Sequence, residues 1–473
     1  MLVLSVILLP IVVGLALLRW PEHHLVQTKI VGTLVAVVTF IDAIAVHVNN
    51  EEFSFRWLSR PFESSFHFGL NGISFWIVLL LALATFSAIL ATSVPRAPKF
   101  IGHLLLLEGA MIGLFMARDL LVFALFWDLM LLPVFFVLVG WGQHVSTAWR
   151  YFIYNFAGGL TLLLATAAFG VLYGSTDVIG RAGVHVIGGW VPWIFAGFAF
   201  AFLVKTPVWP LHTWMPLTYA DTPSPMVAVV SGVQSKAGLY GLIVICMALM
   251  PDYVKGAALV LVILGVISLL YGAFTALTQT DAKRVVAYSS LSHLGLIVLA
   301  IASFNAIALQ GAVIYIIAHG LFSVALFLIL GYVEAREETR SLTRLGGLGA
   351  ANPKLAGALC IASLAALGLP GLAGFVGEII ILTGVFQSGW IWAAAVALVP
   401  IILASAYMLR LFQDIMNGPQ VPDLPVRTDL TWIEGIALAP IVLALVLIGV
   451  NPHPLTTFDT SAYNAVTTQG AYR

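Results

Sequence analysis

The sequence predicts an all-α polytopic membrane protein of about 14 transmembrane helices, and three observations lead there. Hydrophobic residues make up 61% of the 473 and charged residues only 9%, a balance foreign to soluble domains of this length. Apolar runs of about 20 residues, enough to span a bilayer as helix, recur from one end of the chain to the other. The formal net charge is zero and the Lys and Arg residues form no basic stripe, so the partner surface is lipid and not a nucleic acid.

Taken in order, spans are expected near 2–18, 28–48, 70–94, 101–117, 119–142, 151–174, 190–219, 223–250, 256–279, 285–302, 306–333, 355–398, 397–413 and 431–450. The first run lacks a basic leader and a small-x-small cleavage site before Arg19 and Trp20, so it reads as a retained span and not a signal peptide. The crowded stretch 355–413 is divided into two helices, the first of them broken. Basic residues favour the cytoplasmic ends of spans. Loops after odd-numbered spans carry Arg19, Lys29, Arg96, Lys99, Arg150, Lys283, Arg284, Arg336, Arg340, Arg344, Lys354, Arg410 and Arg427, thirteen in all. The opposite side carries six: Arg56, Arg60, Arg118, Arg181, Lys255 and Arg473. Both termini are therefore expected on the side away from the cytoplasm. Two of the twenty-one basic residues remain, Lys205 and Lys236, and this tally puts both inside the membrane.

A lysine at a helix centre costs about 2.5–3.5 kcal/mol on insertion scales, so each of the two marks function by default; a structural ion pair or a snorkelling side chain is the alternative for Lys205, whereas Lys236 lies too deep for easy snorkelling. Lys205 stands in AFLVKTPVWPLHTW, where Pro207 and Pro210 remove backbone donors and break the helix. Broken helix at membrane depth survives only where protein or water satisfies its carbonyls. Lys236 lies in SGVQSKAGLYGL, with Ser231, Gln234 and Ser235 as polar neighbours and Gly232 and Gly238 allowing close helix approach. Among the acids, Asp128 stands mid-span in LVFALFWDLMLLPVFF, and Glu108 and Glu378 are placed in equally apolar surroundings. A pairing of Asp128 with Lys205 is the expectation. Glu378 follows a second break at Pro370 and Gly371, and paired breaks in the two halves of a transporter point to ion sites. Asp42 reads as an isolated acid or an interface residue. His212, His293 and His319 are distributed with the charges, and imidazole both donates and accepts near neutral pH. None is spaced as a metal box, and Cys246 and Cys360 read as packing residues. Without a Gly-rich phosphate loop, a haem box or an iron–sulfur spacing, no cofactor or metal is expected in this chain.

Six stretches together carry a resemblance to a known family: DLLVFALFWDLMLLPVFF, FLVKTPVWPLHTWMPLTYADTPSP, SGVQSKAGLYGL, QTDAKRVVAYSSLSHLG, GAVIYIIAHGLFSVALFLILGYVEAREETRSLTRLGGLG and LPGLAGFVGEI. From about residue 68 to residue 413 the chain resembles the antiporter-like proton-pumping subunits of respiratory complex I, which are shared with multisubunit cation/proton antiporters and membrane-bound hydrogenases. The resemblance implies two inverted five-helix repeats, each a half-channel with a broken helix. They are placed at 101–250 (helices 4–8) and 256–413 (helices 9–13), after three N-terminal helices in 1–100 and before a last helix and tail in 414–473. It also implies proton-transfer roles for Asp128, Lys205, Lys236, His293, His319 and Glu378, with Glu108 and His212 as weaker candidates. Glutamate at 378, where two other complex I chains resemble each other in carrying lysine, is similar to the middle, M-type chain. The family's glutamate at 128 is here the shorter aspartate, which implies a longer or water-mediated contact with Lys205. The implied partners are the other antiporter-like and membrane-arm subunits, with FMN, iron–sulfur clusters and quinone in partner chains. A sodium/proton antiporter subunit, a hydrogenase- or ferredoxin-linked complex, or a non-conducting scaffold are the competing readings.

Overall fold

The computed structural model describes residues 1–22, 24–180, 188–418 and 428–456; Arg181, Arg427 and Arg473 of the loop tally lie outside them. Helices dominate: α1 (Leu2–Leu17), α2 (Leu25–Val48), α3 (Gly72–Ala91), α4 (Ala97–Met116), α5 (Leu120–Leu129), α6 (Leu131–Trp141), α7 (Val145–Tyr173), α8 (Val191–Lys205), α9 (Met215–Asp221) and α10 (Ser224–Met247). They continue with α11 (Ala258–Thr278), α12 (Ala282–Ala302), α13 (Ala306–Glu337), α14 (Pro353–Ala366), α15 (Ala373–Gln387), α16 (Ile391–Met416) and α17 (Trp432–Val450). Among the described residues eleven spans are long and apolar enough to cross a membrane, α5 with α6 counting as one, and α1, α8, α14 and α15 are shorter apolar helices.

The two expected breaks are present. The span placed at 190–219 is α8 and α9 separated by 206–214, and the stretch placed at 355–398 is α14 and α15 separated by 367–372. One boundary differs: α15 stops at Gln387 and α16 begins at Ile391, not near 397. Gly389 takes φ +89 and turns the chain there, whereas the apolar run IWAAAVALVP after it reads as unbroken helix.

Two compact units account for the helices, one built from residues 1–206 and 233–259 and the other from 207–232 and 260–456. In the first unit, α1, α2, α3 and α4 pack through small residues. A Cβ on Gly14 would lie 2.8 Å from the Gly102 carbonyl, and one on Gly102 equally close to that of Gly14, so only glycine permits this backbone approach. Asp42 is half-buried on α2 and accepts a hydrogen bond from the Ser5 hydroxyl of α1 at 2.8 Å.

A β-hairpin, β1 (Glu52–Leu58) with β2 (Ser64–Gly69), was not expected between the second and third spans. Its signal is the period-2 alternation of Phe53, Phe55 and Trp57 with Ser54 and Arg56, too short to stand out among long apolar runs. The hairpin is fastened by polar side chains. His67 contacts Asp177 at 2.7 Å through Nδ1 and Glu52 at 3.4 Å through Nε2. The hydrogen bond that His67 donates to Asp177 holds the imidazole above its ordinary value by favouring the cation. Arg118 reaches Glu52 at 3.4 Å and donates to the Leu70 carbonyl. Buried Asp119 caps α5 by accepting from the Leu121 and Val122 amides, and its other oxygen accepts from the Ser65 amide and the Thr176 hydroxyl. An N-cap of this kind is worth about 1 kcal/mol.

In the second unit, α13 is wrapped by its neighbours over its middle turns, so residues 311–330 are buried all round, as expected for a helix apolar on every face. Asn305 caps its start, and at its end Arg336 makes a two-pronged contact with Glu434 of α17 at 3.1 and 2.7 Å.

Candidate functional site

In the first unit Asp128 and the Lys205 ammonium stand beside the α5–α6 kink, and Lys236 lies on α10. Pro133 lacks an amide hydrogen, which leaves the carbonyl one turn earlier without its helical donor and lets the helix break at Met130. Asp128 sits just before this break, half-buried, with its carboxylate against the α7 backbone: a Cβ on Gly159 would stand 1.9 Å from Oδ1. Lys205 is the last residue of α8 and 1% exposed. Its ammonium lies over the Trp127 ring, 5.3 Å from the centroid, a cation–π contact that partly offsets desolvation. Nζ has no hydrogen-bond partner, and among the described residues no carboxylate comes within 4.0 Å of it. The expected pairing of Asp128 with Lys205 is therefore not a direct contact, since their charged atoms lie more than 4.0 Å apart. The short aspartate side chain, held against Gly159, is the physical reason.

Lys236 is fully buried on α10, and its Nζ reaches the Ser235 hydroxyl at 3.3 Å. Two π-helical turns, Val230–Gln234 and Leu242–Met247, bracket it; such bulges are frequent at functional sites because they displace one residue from the helical register. Gly238 brings α10 onto the end of α8, where a Cβ would fall 2.3 Å from the Phe202 carbonyl. Gln234 joins the two sides of the site. Its amide donates to the Met130 carbonyl at 3.2 Å, beside the kink, and to the Tyr151 hydroxyl at 3.0 Å.

Glu108 is placed apart. It is buried on α4, neither carboxyl oxygen has a hydrogen-bond partner, and no charged group acts on it, an environment in which a lone carboxylate costs several kcal/mol.

The second unit assembles a chain of contacts. Three glycines lay α15 against α13: a Cβ on Gly377 would be 2.7 Å from Tyr315, one on Gly311 2.6 Å from the Ile381 amide, and one on Gly384 2.2 Å from that of Ala308. This close approach puts Glu378 Oε1 2.6 Å from the Tyr315 hydroxyl, which donates to it. The same hydroxyl is 2.6 Å from His293 Nδ1. His293 Nε2 is 3.0 Å from the Ser289 hydroxyl, which in turn lies 3.2 Å from that of Tyr407. The His319 ring is 5.7 Å from that of His293. Glu378 Oε2 points at the α14–α15 break, where a Cβ on Gly368 would be 2.2 Å away. His212 lies in the α8–α9 break, 5.0 Å from the Tyr271 ring, and the backbone freed there is satisfied by the Trp209 amide donating to Ser268. Among the described residues no group of three His, Cys, Asp or Glu side chains is arranged around a metal position.

Sequence reasoning passed over Tyr315, Ser289 and Tyr407. A signal was present, since Ser289 and Tyr315 each precede a singled-out histidine by four residues, one helical turn on the same face. Lys283 was counted among the loop charges. Lys283 is 2% exposed, and its ammonium pairs with half-buried Glu334 at 2.6 Å and donates to the Thr222 carbonyl at 3.4 Å, an ion pair at the end of a span.

Comparison with known proteins agrees with this layout. Residues 117–404 match the sequence profile of the family described as NADH:quinone oxidoreductase/Mrp antiporter, TM. The NADH-quinone oxidoreductase subunit M of Rickettsia prowazekii is 30% identical over 97% of this chain and 97% of its own length. That of Pseudomonas aeruginosa is 33% identical, covering 88% and 84%. Among solved structures, a chain of respiratory complex I from Thermus thermophilus with bound NADH superposes with TM-score 0.88 at 31% identity, over 99% of this chain and 98% of that one. A chain of the Mrp complex from Dietzia sp. DQ12-45-1b shares the fold, with TM-score 0.88 at 21% identity over 100% and 98%. The chain belongs to the NADH:quinone oxidoreductase/Mrp antiporter membrane family, as an antiporter-like subunit of the complex I M type.

Proposed function

We propose that this chain translocates protons in the membrane arm of an NADH, or related donor, quinone oxidoreductase, coupled to electron transfer that takes place in partner subunits. Its partners are the other antiporter-like and membrane-arm subunits, and it works in an energy-transducing membrane. The observation that carries this reading is the set of ionisable groups in the interior of each unit: half-buried Asp128 with buried Lys205 and Lys236 in one, and buried His319, His293 and Glu378 in the other. A pure scaffold has no use for two lysines that each cost kilocalories to bury.

In the mechanism, Asp128 favours the charged form of Lys205 across a gap wide enough to be altered by a small movement. Widening the gap favours release of the lysine's proton, and a low-dielectric interior makes the effect large. Lys236 accepts and passes the proton on, and the second unit's histidines take it to Glu378, whose free oxygen faces the glycine-lined break. Replacing Lys236 by Ala in the assembled, reconstituted complex is expected to abolish or strongly depress proton translocation. Unchanged quinone reduction together with unchanged pumping sinks the relay.

The family resemblance equally includes sodium/proton antiporters without a redox partner. Glutamate at 378, as in M-type chains, favours the redox-linked complex. Co-purification with flavin and iron–sulfur subunits decides between them.

A further inference from the structure

Tyr315 stands between two groups that cannot reach one another. His293 Nδ1 and Glu378 Oε1 are 4.0 Å apart, beyond hydrogen-bond distance, yet the Tyr315 hydroxyl is 2.6 Å from each. All three side chains are buried. A phenol has one proton to donate and otherwise accepts. If neither flanking atom carries a proton, the hydroxyl donates to one and presses a lone pair against the other at 2.6 Å. If both carry one, it accepts from both and its own proton has no acceptor. Both arrangements leave a buried polar contact unmade or repulsive, at a cost of kilocalories. Only two arrangements satisfy every atom: the proton on His293 Nδ1 with Glu378 ionised, or the proton on Glu378 with Nδ1 bare.

Resting on the proton-translocating reading above, we infer that Tyr315 is a catalytic relay residue that makes proton occupancy of His293 Nδ1 and Glu378 Oε1 mutually exclusive. One proton then crosses per event. Starting from the imidazolium, the His293 Nδ1–H bond breaks as a Tyr315 O–H bond forms, while the original Tyr315 O–H bond breaks as the Glu378 O–H bond forms. Imidazolium and carboxylate become neutral imidazole and carboxylic acid, with no proton gained or lost. The polarity of the chain reverses in the same step. Tyr315 now donates to Nδ1, and neutral His293 keeps its proton on Nε2, toward Ser289. The chain is reset when Glu378 has given up its proton on the side of Gly368 and Nδ1 is protonated again, and Tyr315 then donates to the carboxylate once more.

The test uses the complete complex in liposomes, with NADH and a soluble quinone driving a pH-sensitive dye. Tyr315→Phe removes the relay atom and is expected to slow this proton step by about 100-fold, the low end of what a positioned acid–base group contributes, and so to abolish pumping. Glu378→Gln tests the underlying reading: if pumping survives it, proton translocation through this unit is wrong. If Glu378→Gln stops pumping and Tyr315→Phe does not, only the relay is wrong. A measurement on the unsubstituted complex stands even if the phenylalanine variant fails to assemble. With ¹⁵N-labelled histidine, the His293 resonances are expected to show Nδ1 protonated while the infrared carboxyl band of Glu378 is absent, and bare once it appears. A His293 tautomer that stays constant while Glu378 titrates overturns the inference.

Discussion

Gly159→Ala isolates the proposed coupling between Asp128 and Lys205 without touching either charge. The new methyl carbon would lie 1.9 Å from Asp128 Oδ1, 2.9 Å from Cγ and 3.3 Å from Oδ2. Ordinary contact begins near 3.4 Å, so the carboxylate must move by about 1.5 Å. It is the end of a flexible side chain and can do so without unpacking α5 from α7. The gap to Lys205 exceeds 4.0 Å, and at an effective dielectric constant of about 20 a pair at that distance couples by about 4 kcal/mol. Lengthening the gap by 1.5 Å lowers this to about 3, so the change is at most about 1 kcal/mol, roughly fivefold in an equilibrium constant. Gly158→Ala is the matched control, because its methyl would meet Val204 at an ordinary 3.5 Å. Any helix-propensity gain, up to about 1 kcal/mol, is shared by both variants and cancels in the comparison. In reconstituted complex, pumping per quinone reduced should fall about two- to fivefold for Gly159→Ala and hold for Gly158→Ala. Equal behaviour of the two variants would refute the coupling.

Gly368→Ala should damage the second unit in two separable ways. Its φ of +77 costs an L residue about 1–2 kcal/mol, and its methyl would fall 2.2 Å from Glu378 Oε2. Gly371 has φ +94 and open space around it, so Gly371→Ala is expected to lower thermal stability similarly while sparing pumping; loss of pumping in both variants would show that backbone strain alone is responsible. At the hairpin, the raised His67 value makes the clasp to Asp177 pH-dependent. Its contribution is complete below the ordinary imidazole range and is lost as pH rises through the raised value. Hydrogen-exchange protection factors of β2 amides should therefore fall from pH 6 to pH 9 in the native chain and stay level in His67→Gln. The same slope in both would remove His67 from the account.

The sequence by itself determined the class of this protein and the positions of its costly groups. Hydrophobic length must match the bilayer whatever the packing, so the recurrence of apolar spans and the outliers Lys205 and Lys236 could be read without a structure, although eleven helices and not fourteen are long and apolar enough to cross among the described residues. The two breaks were equally legible, because proline cannot donate and glycine turns where other residues do not. Packing decided the rest. Whether Asp128 touches Lys205 depends on the backbone of α7 at Gly159, forty-six residues before the lysine in the chain. Lys283 looks like a loop charge until Glu334 is folded beside it. The chain of contacts from Tyr407 through Ser289, His293 and Tyr315 to Glu378 draws on α12, α13, α15 and α16. Only the close seating of α15 on α13, through glycines that read in sequence as ordinary membrane-helix residues, brings a tyrosine hydroxyl within 2.6 Å of both a histidine and a carboxylate. Hydrogen bonds act over a few ångströms, and which side chains come within that range across different helices is set by the tertiary fold and not by spacing along the chain.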